Sequence, residues 1–428
     1  MCQPFAWLAI SPKPALNGPM TAPSSLPSSL PRLQQSPRDP AFVQAPYLFY
    51  DRVRQAGRVV FWEDWGLPVT AHSTVVGGCL RDRRLGRAAP AGFGTTPAAH
   101  LAPFYDLEAH SMLELDGPPH AKLRAQVLRA FTSRRIAALA PEIEALCHQL
   151  IDALPEGGCD LLPHYAQHVP AIIIARLLGL DDATAPDLLR WSHAMVGMYQ
   201  ARRSPEVETA AVAASLEFGA FLRGQMAKRR LSPADDLLSA LLATETDEDR
   251  GLSEAEILST AILLLNAGHE ATVHSLGNAL AQLLRQPQLW AASQEAADNA
   301  PALAALVEEA LRFDPPLHLF LRWVKEDMEI GTQVFARGER IGLLLAGANR
   351  DPAIWYDPDR FDPQRPGKPH HAFGAGAHFC LGAPLARMEM QIALKVLIQR
   401  LPRLTLTEPP AYADLYPFHG LNTLKVHY

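Results

Sequence analysis

Residues 371–389 read "HAFGAGAHFCLGAPLARME", three glycines and two histidines around a single cysteine, with a helix-like run behind it. Gly374 and Gly376 let the backbone turn sharply and approach a flat partner closely, which side chains would prevent. Pro384 suits the first turn of a helix that continues through Leu385, Arg387 and Met388. A cysteine at a helix N-terminus faces unsatisfied N–H groups and the positive end of the helix dipole, and both favour thiolate over thiol. Cys380 therefore reads as a metal ligand or as a nucleophile with His378 as its base. The other reading is a buried thiol acting as a small hydrophobe, the commonest fate of a lone intracellular cysteine. The stretch by itself leaves these open.

The rest of the chain narrows the choice. It has 428 residues, 48% hydrophobic and 20% charged, with a net charge of -6. That acidity argues against a nucleic-acid binder, which would carry a basic excess. The five cysteines, Cys2, Cys79, Cys147, Cys159 and Cys380, are scattered and form no CxxC pair. A disulfide framework and a zinc ribbon are both disfavoured, and the thiols fit a reducing cytoplasm.

Residues 1–41 are Pro-rich and read as a disordered leader, within which Met20 is a candidate start. Its apolar run lacks a basic flank and is interrupted by Pro4, Pro12 and Pro14, so it makes a poor signal peptide. The run "AILLLNAG" at 261–268 is too short to span a bilayer, and a soluble protein without membrane contact is expected. Residues 42–428 form one large domain. Helix-like periodicity dominates at 121–153, 183–200, 206–229, 253–285, 287–313 and 384–400. Strand signals are short, at 58–62, 69–73, 328–331, 340–347 and 423–428. The expected fold class is mainly α, a large helical domain with a small β region. The Gly/Pro-rich stretch 86–103 reads as a long irregular loop.

Within this frame "FGAGAHFCLG" resembles the heme-binding loop of the cytochrome P450 family, with Phe373, Gly376, Cys380 and Gly382 at the matching positions. Three further signatures follow the family's order. "EEALR" contains Glu309 and Arg312, "PDRF" supplies Arg360 as the third member of a buried Glu–Arg–Arg cluster, and "NAGHEAT" resembles the oxygen-groove segment. The resemblance covers 42–428 and implies the cytochrome P450 fold around heme b, iron protoporphyrin IX, with Cys380 as its axial thiolate and metal ligand. It implies heme contacts from Ala267, Gly268, Phe373 and Gly382, and propionate partners at His120 and Arg124 of "HAKLR", Arg322 of "LRWV" and His378 of "AHFC". Glu309 and Arg312 stand three apart on a helix and share a face, so they can pair.

The central helix is expected to begin at a capping box of Ser253 and Glu256. Glu270 is an acid in an apolar setting, a proton-delivery candidate. The family places a threonine after it, whereas this chain has Ala271, and Thr272 lies about a hundred degrees round the helix. Three routes remain: a substrate hydroxyl holds the water, Glu270 works through solvent, or a distorted helix turns Thr272 inward. The first two are favoured. Family placement puts Leu317, Leu319, Phe320 and Phe418 in a pocket for a hydrophobic small molecule, with the 86–103 loop, residues 191–205 and the 417–422 turn around it.

The implied activity is that of a bacterial-type heme-thiolate monooxygenase using O2. The chain carries no flavin segment and too few cysteines for an iron–sulfur cluster, so electrons are expected from a ferredoxin and ferredoxin reductase. Lys122, Arg129, Arg134 and Arg135 would receive an acidic redoxin or else form a solvated helix face. Peroxide-driven or oxidative-coupling chemistry is the alternative within enzymes; a non-catalytic heme-based ligand or gas sensor is the alternative outside them.

Overall fold

The computed structural model describes residues 30–246 and 251–428. Helices form most of it, and their boundaries follow local capping. Short α1 (Pro40–Gln44) starts where Asp39 Oδ1 accepts from Ala41 N at 2.8 Å, and α2 (Tyr47–Ala56) follows directly. Next come α3 (Ser73–Arg81) and α4 (Ala102–Glu108), which flank the irregular stretch expected at 86–103. The periodic run 121–153 is three helices, α5 (Gly117–Ala130), α6 (Ser133–Ala138) and α7 (Ala140–Asp152). Thr132 caps the second, its side chain accepting from Arg135 N at 3.2 Å, and Pro141 opens the third.

Helices α8 (His168–Leu177), α9 (Ala185–Val196), α10 (Pro205–Leu231) and α11 (Leu237–Leu242) lead to the long central helix α12 (Glu254–Leu284). The expected capping box is present: Ser253 Oγ accepts from Glu256 N at 3.3 Å while Glu256 Oε2 accepts from Ser253 N at 2.8 Å. Helix α12 is buried around most of its circumference and packs on α8, α9, α14 (Ala300–Phe313) and α16 (Ala383–Arg400). The run 287–313 divides into α13 (Pro287–Ala297) and α14, because Asn299 Oδ1 caps the second by accepting from Ala302 N at 3.2 Å. Among the described residues no helix is long and apolar enough to cross a membrane.

The β region is small and stitched from distant parts of the chain. Strands β1 (Arg32–Leu33), β2 (Val60–Trp62), β3 (Leu67–Thr70), β4 (Leu85–Gly86), β6 (Leu319–Val324) and β9 (Arg340–Leu344) form a six-stranded sheet, ordered β1-β2-β3-β9-β6-β4. Val69 pairs in parallel with Gly342, and Arg322 stands opposite Ile341 in an antiparallel pair. A second sheet joins β5 (Gly158–Asp160), β11 (Lys425–His427) and β10 (Thr405–Leu406); β7 (Met328–Ile330) and β8 (Gln333–Phe335) form a hairpin.

The strand expectations shorten, most clearly at two places. Ser73 begins α3, and after Leu344 the chain turns into the helical α15 (Leu345–Ala348). The leader also shrinks from its C-terminal side. Leu30 is buried, Arg32–Leu33 pairs with Phe61–Trp62, and Trp62 Nε1 donates to Gln35 O at 2.7 Å. Residues 1–29 of the expected leader lie outside the described residues. The main core fills the space among the helices, while an aromatic cluster of Phe42, Phe49, Tyr50, Trp62 and Tyr416 sits under the large sheet. The site lies between α12 and the loop before α16.

Candidate functional site

Cys380 N donates to Phe373 O at 3.0 Å and closes the loop between them. Gly374 and Gly376 adopt φ values of +67° and +71°, a region that favours glycine. At Gly376 the constraint is also steric, since a Cβ there would stand 2.3 Å from the carbonyl oxygen of Leu80 in α3. Cys380 lines a cavity of about 330 Å³. Burial raises the thiol's pKa. The N–H groups of Gly382 and Ala383 and the charges of Arg124 and Arg387 pull it down, but burial wins. The helix-end stabilisation expected from sequence is therefore present and outweighed until a cation replaces the proton. Phe373 lies beside the cysteine loop with the Arg387 guanidinium 4.5 Å from its ring centre. Glu308 fixes that guanidinium at 2.5 and 2.9 Å.

The rim of the cavity is cationic. Arg322 is 3% exposed; its NH1 donates to Leu321 O at 2.9 Å, and no carboxylate among the described residues pairs with it. Burial, reinforced by Arg87, pushes its pKa down to about 9. Arg124 lines the same cavity with no ion pair among the described residues, and burial lowers its pKa also. His120 is buried with Nε2 unsatisfied, and burial with the nearby charges of His378 and Arg124 pushes it down to about 4. His378 stands with its ring centre 4.3 Å from that of His120, but its Nε2 already bonds Asp116 Oδ1 at 2.9 Å. Asp116 is held in turn by Lys325 at 2.8 Å and by the N–H groups of Arg87 and Ala88. Of the four residues expected to meet carboxylates, Arg124 and Arg322 have no ion pair among the described residues and His120 Nε2 has no hydrogen-bond partner, while His378 meets a protein carboxylate.

Across the cavity, Ala267, Gly268, Glu270, Ala271 and Thr272 of α12 form the opposite wall. A Cβ on Gly268 would lie 3.1 Å from Ile174 Cδ1, so this glycine gives room to α8. Glu270 is bridged by His193 Nε2 at 3.2 Å and His274 Nε2 at 3.3 Å. Burial pushes its carboxyl up, but the His274 bond and the charges of the surrounding histidines more than offset this and hold it at about 2. Thr272 Oγ1 donates back to Gly268 O at 2.9 Å, which occupies its proton.

The buried ion-pair cluster requires a correction. Glu309 accepts from Arg312 Nε at 2.7 Å and NH2 at 2.8 Å, and from Asp362 N at 2.8 Å. The third arginine is Arg365, whose Nε lies 3.6 Å from Glu309 Oε1. Arg360 is exposed and contributes only its backbone carbonyl, to Arg312 and Arg365. The chain turns at 357–360 so that the side chain five residues further on swings inward.

The four expected pocket residues, Leu317, Leu319, Phe320 and Phe418, all line the cavity. Of the 86–103 loop, Arg87 alone reaches it; Val196 and Tyr199 represent residues 191–205. Among the lining residues not anticipated are two acids, Glu108 and Glu389. Glu108 follows Phe104 by one helical turn on the buried face of α4, a position that signals an inward acid. Burial lifts its carboxyl to about 7 against a Tyr199 hydrogen bond and the Arg87 charge, and its Oε2 has no partner.

Glu389, on the buried face of α16, is lifted to about 8 by burial alone. The native state then keeps a proton that the unfolded chain, titrating near 4.5, has released, so stability falls as pH rises from about 4.5 to about 8. Glu389→Gln should flatten that fall, raising Tm by several degrees at pH 8 and leaving it unchanged at pH 4. A Tm–pH curve identical to the parent's would show that the carboxyl is ionised at neutral pH.

A cysteine under a cavity, with Arg124 and Arg322 on its wall and no carboxylate paired to either among the described residues, suits an anionic metal complex. Comparison with known proteins agrees. The family model "Cytochrome P450" matches residues 220–410. Cytochrome P450 107B1 of Saccharopolyspora erythraea is 40% identical over 308 residues, 71% of this chain and 73% of that protein. The biotin biosynthesis cytochrome P450 of Bacillus subtilis is 32% identical over 390 residues, 90% of this chain and 96% of that one. The crystal structure of P450BioI with an acyl carrier protein ligated to hexadec-9Z-enoic acid superposes with a TM-score of 0.85 at 29% identity, over 91% of this chain and 100% of that one. The chain belongs to the cytochrome P450 family. It has that family's mainly helical fold, binds heme b and is a monooxygenase.

Proposed function

We propose that the protein inserts one atom of O2 into a hydrophobic small molecule in the cytoplasm, with electrons supplied by a ferredoxin and its reductase. The observation that carries this reading is Cys380 on the cavity wall together with Arg124 and Arg322, neither in an ion pair among the described residues. Cys380 would bind iron as thiolate, donating electron density that favours O–O cleavage. Arg124, Arg322 and His120 would hold the two propionates by charge-assisted hydrogen bonds, with His378 positioned behind His120 by Asp116. Heme bound there supplies the activation of O2, and the chain supplies orientation, dryness and protons.

The walls at Leu317, Leu319, Phe320 and Phe418 exclude water and favour apolar substrate. Glu270, ionised between His193 and His274, can relay a proton from the half-exposed His193 toward the cavity. No hydroxyl follows it in sequence, and the Thr272 proton is committed to Gly268 O. Oxygen activation assisted by substrate or water is therefore the favoured route. Ala271→Thr should raise the ratio of product to NADPH consumed several-fold for substrates that lack a hydroxyl. Tight coupling of the parent enzyme on a plain hydrocarbon would remove the idea.

Of the proposed docking cations, Lys122 pairs with Glu256 at 3.2 Å and Arg135 with Asp235 at 2.6 Å, leaving Arg129 and Arg134, without an ion pair among the described residues, to meet an acidic partner. NADPH-dependent O2 consumption with surrogate redox partners tests the enzymatic reading against a sensor. Titrating terpenoid, fatty-acid, aromatic and macrolide ligands for displacement of the heme-bound water identifies the substrate class.

A further inference from the structure

Helices α9 and α12 meet at three side chains that converge without a shared partner. His193 of α9 and His269 and Glu270 of α12 present nitrogen or oxygen atoms that all lie within 4.8 Å of one another. His269 is 1% exposed, and neither of its ring nitrogens has a hydrogen-bond partner. A buried imidazole with both nitrogens unsatisfied costs free energy unless something fills the gap. The rings of His193 and His269 are 5.4 Å apart between centres, inclined at 56°, and Glu270 Oε1 stands 3.2 Å from His193 Nε2. The other carboxylate oxygen is held by His274 Nε2 at 3.3 Å, the kind of outer bond that fixes a ligand's orientation. The His193 side chain is 45% exposed and gives the cluster a path to solvent.

We propose that His193, His269 and Glu270 form a site for a divalent transition metal of the zinc class, joining α9 to α12 on the distal side of the active site. Two imidazoles and a carboxylate suit zinc, which takes three protein ligands and leaves a position for water. A second trio of similar composition, Asp314, His318 and His419, lacks the same capacity. Tyr47 and Tyr412 donate to its two carboxylate oxygens, at 2.7 and 2.5 Å. In the α9–α12 cluster only histidines, among the described residues, touch the carboxylate.

Occupancy has two consequences. The cation ties together two helices that also wall the substrate cavity through Val196 and Asn266. It also takes the carboxylate assigned above to proton delivery, so zinc should inhibit turnover reversibly. That second consequence rests on the proposed role of Glu270; binding itself does not.

The test uses the heme-loaded protein with ZnCl2, followed by calorimetry, and with CoCl2, followed by the visible bands of low-coordinate cobalt. One equivalent is expected to bind, and His193→Ala should weaken it at least tenfold, since even outer-shell partners are worth roughly 10–100-fold in metal affinity. His193 is half exposed, so this variant keeps the fold, which an unchanged heme spectrum verifies. Absence of saturable binding, or equal affinity in His193→Ala, overturns the site. Zinc bound through His193 with O2 consumption unchanged upholds the site and overturns the proton-delivery role of Glu270.

Discussion

Cys380→Ser is expected to yield a folded protein whose reduced carbon-monoxide complex lacks the red-shifted band of thiolate ligation and whose product formation falls to background. Serine preserves the loop, because the bond that closes it is made by the backbone N–H of residue 380 to Phe373 O. What disappears is a sulfur that can ionise and bind iron, since a hydroxyl keeps its proton far above neutral pH. No other described cysteine can take over. Cys79 and Cys147 are buried in cores that push their thiols up to about 12, and Cys159 lies beside Tyr428 in the C-terminal sheet. The spectrum of the dithionite-reduced variant under carbon monoxide decides the matter. Retention of the thiolate band would mean that another sulfur, and so another cavity geometry, holds the iron.

Glu309→Ala should have the next largest effect, on heme retention and stability together. The carboxylate receives two bonds from Arg312, whose side chain is 1% exposed, and one from the Asp362 N–H. Removing one partner of such a pair leaves a buried charge without compensation and costs about 3–5 kcal/mol. The guanidinium also anchors Asn349 O and Pro358 O, so its displacement loosens the segment leading into the cysteine loop. The expected result is poor heme content on purification and a Tm lowered by many degrees. Arg360→Ala supplies the contrast. Its exposed side chain predicts a change within about 0.5 kcal/mol, as for an ordinary surface substitution. Equal damage from both would return Arg360 to the ion-pair cluster in place of Arg365.

That contrast marks where sequence reading stopped. The cysteine loop, the capping box and the Glu309–Arg312 pair are local patterns, and local patterns are legible because neighbouring residues meet whatever the remainder does. Arg365 was missed because a motif at fixed spacing cannot register a turn that buries one arginine and exposes another five residues away. Helix ends at Thr132 and Asn299 lay hidden inside long periodic runs. Strands such as β6 and β5 carried no alternating signal: β6 is buried at most of its positions, and β5 is a three-residue, half-buried strand whose partner β11 lies far along the chain. Inside the cavity, Cys380 was evident and Glu389 was not: the first sits among glycines, while the second occupies an ordinary helical position whose burial comes from packing on α7 and α12. The pairing of Glu270 with His193 required knowing that α9 crosses α12.

The two-ended sheet has a bearing on how the protein is made. Arg32 pairs with Phe61 early, but β3 waits for β9 near residue 342, and β5 waits for β11, which ends at His427. Cys380 lies between those late events. A growing chain emerging from the ribosome can assemble its early helices, yet it cannot close the pocket until Pro417 and Phe418, which line it, have been made. Heme capture would therefore wait for this late segment to fold back, at a pace set by slow long-range pairing as well as by cofactor supply.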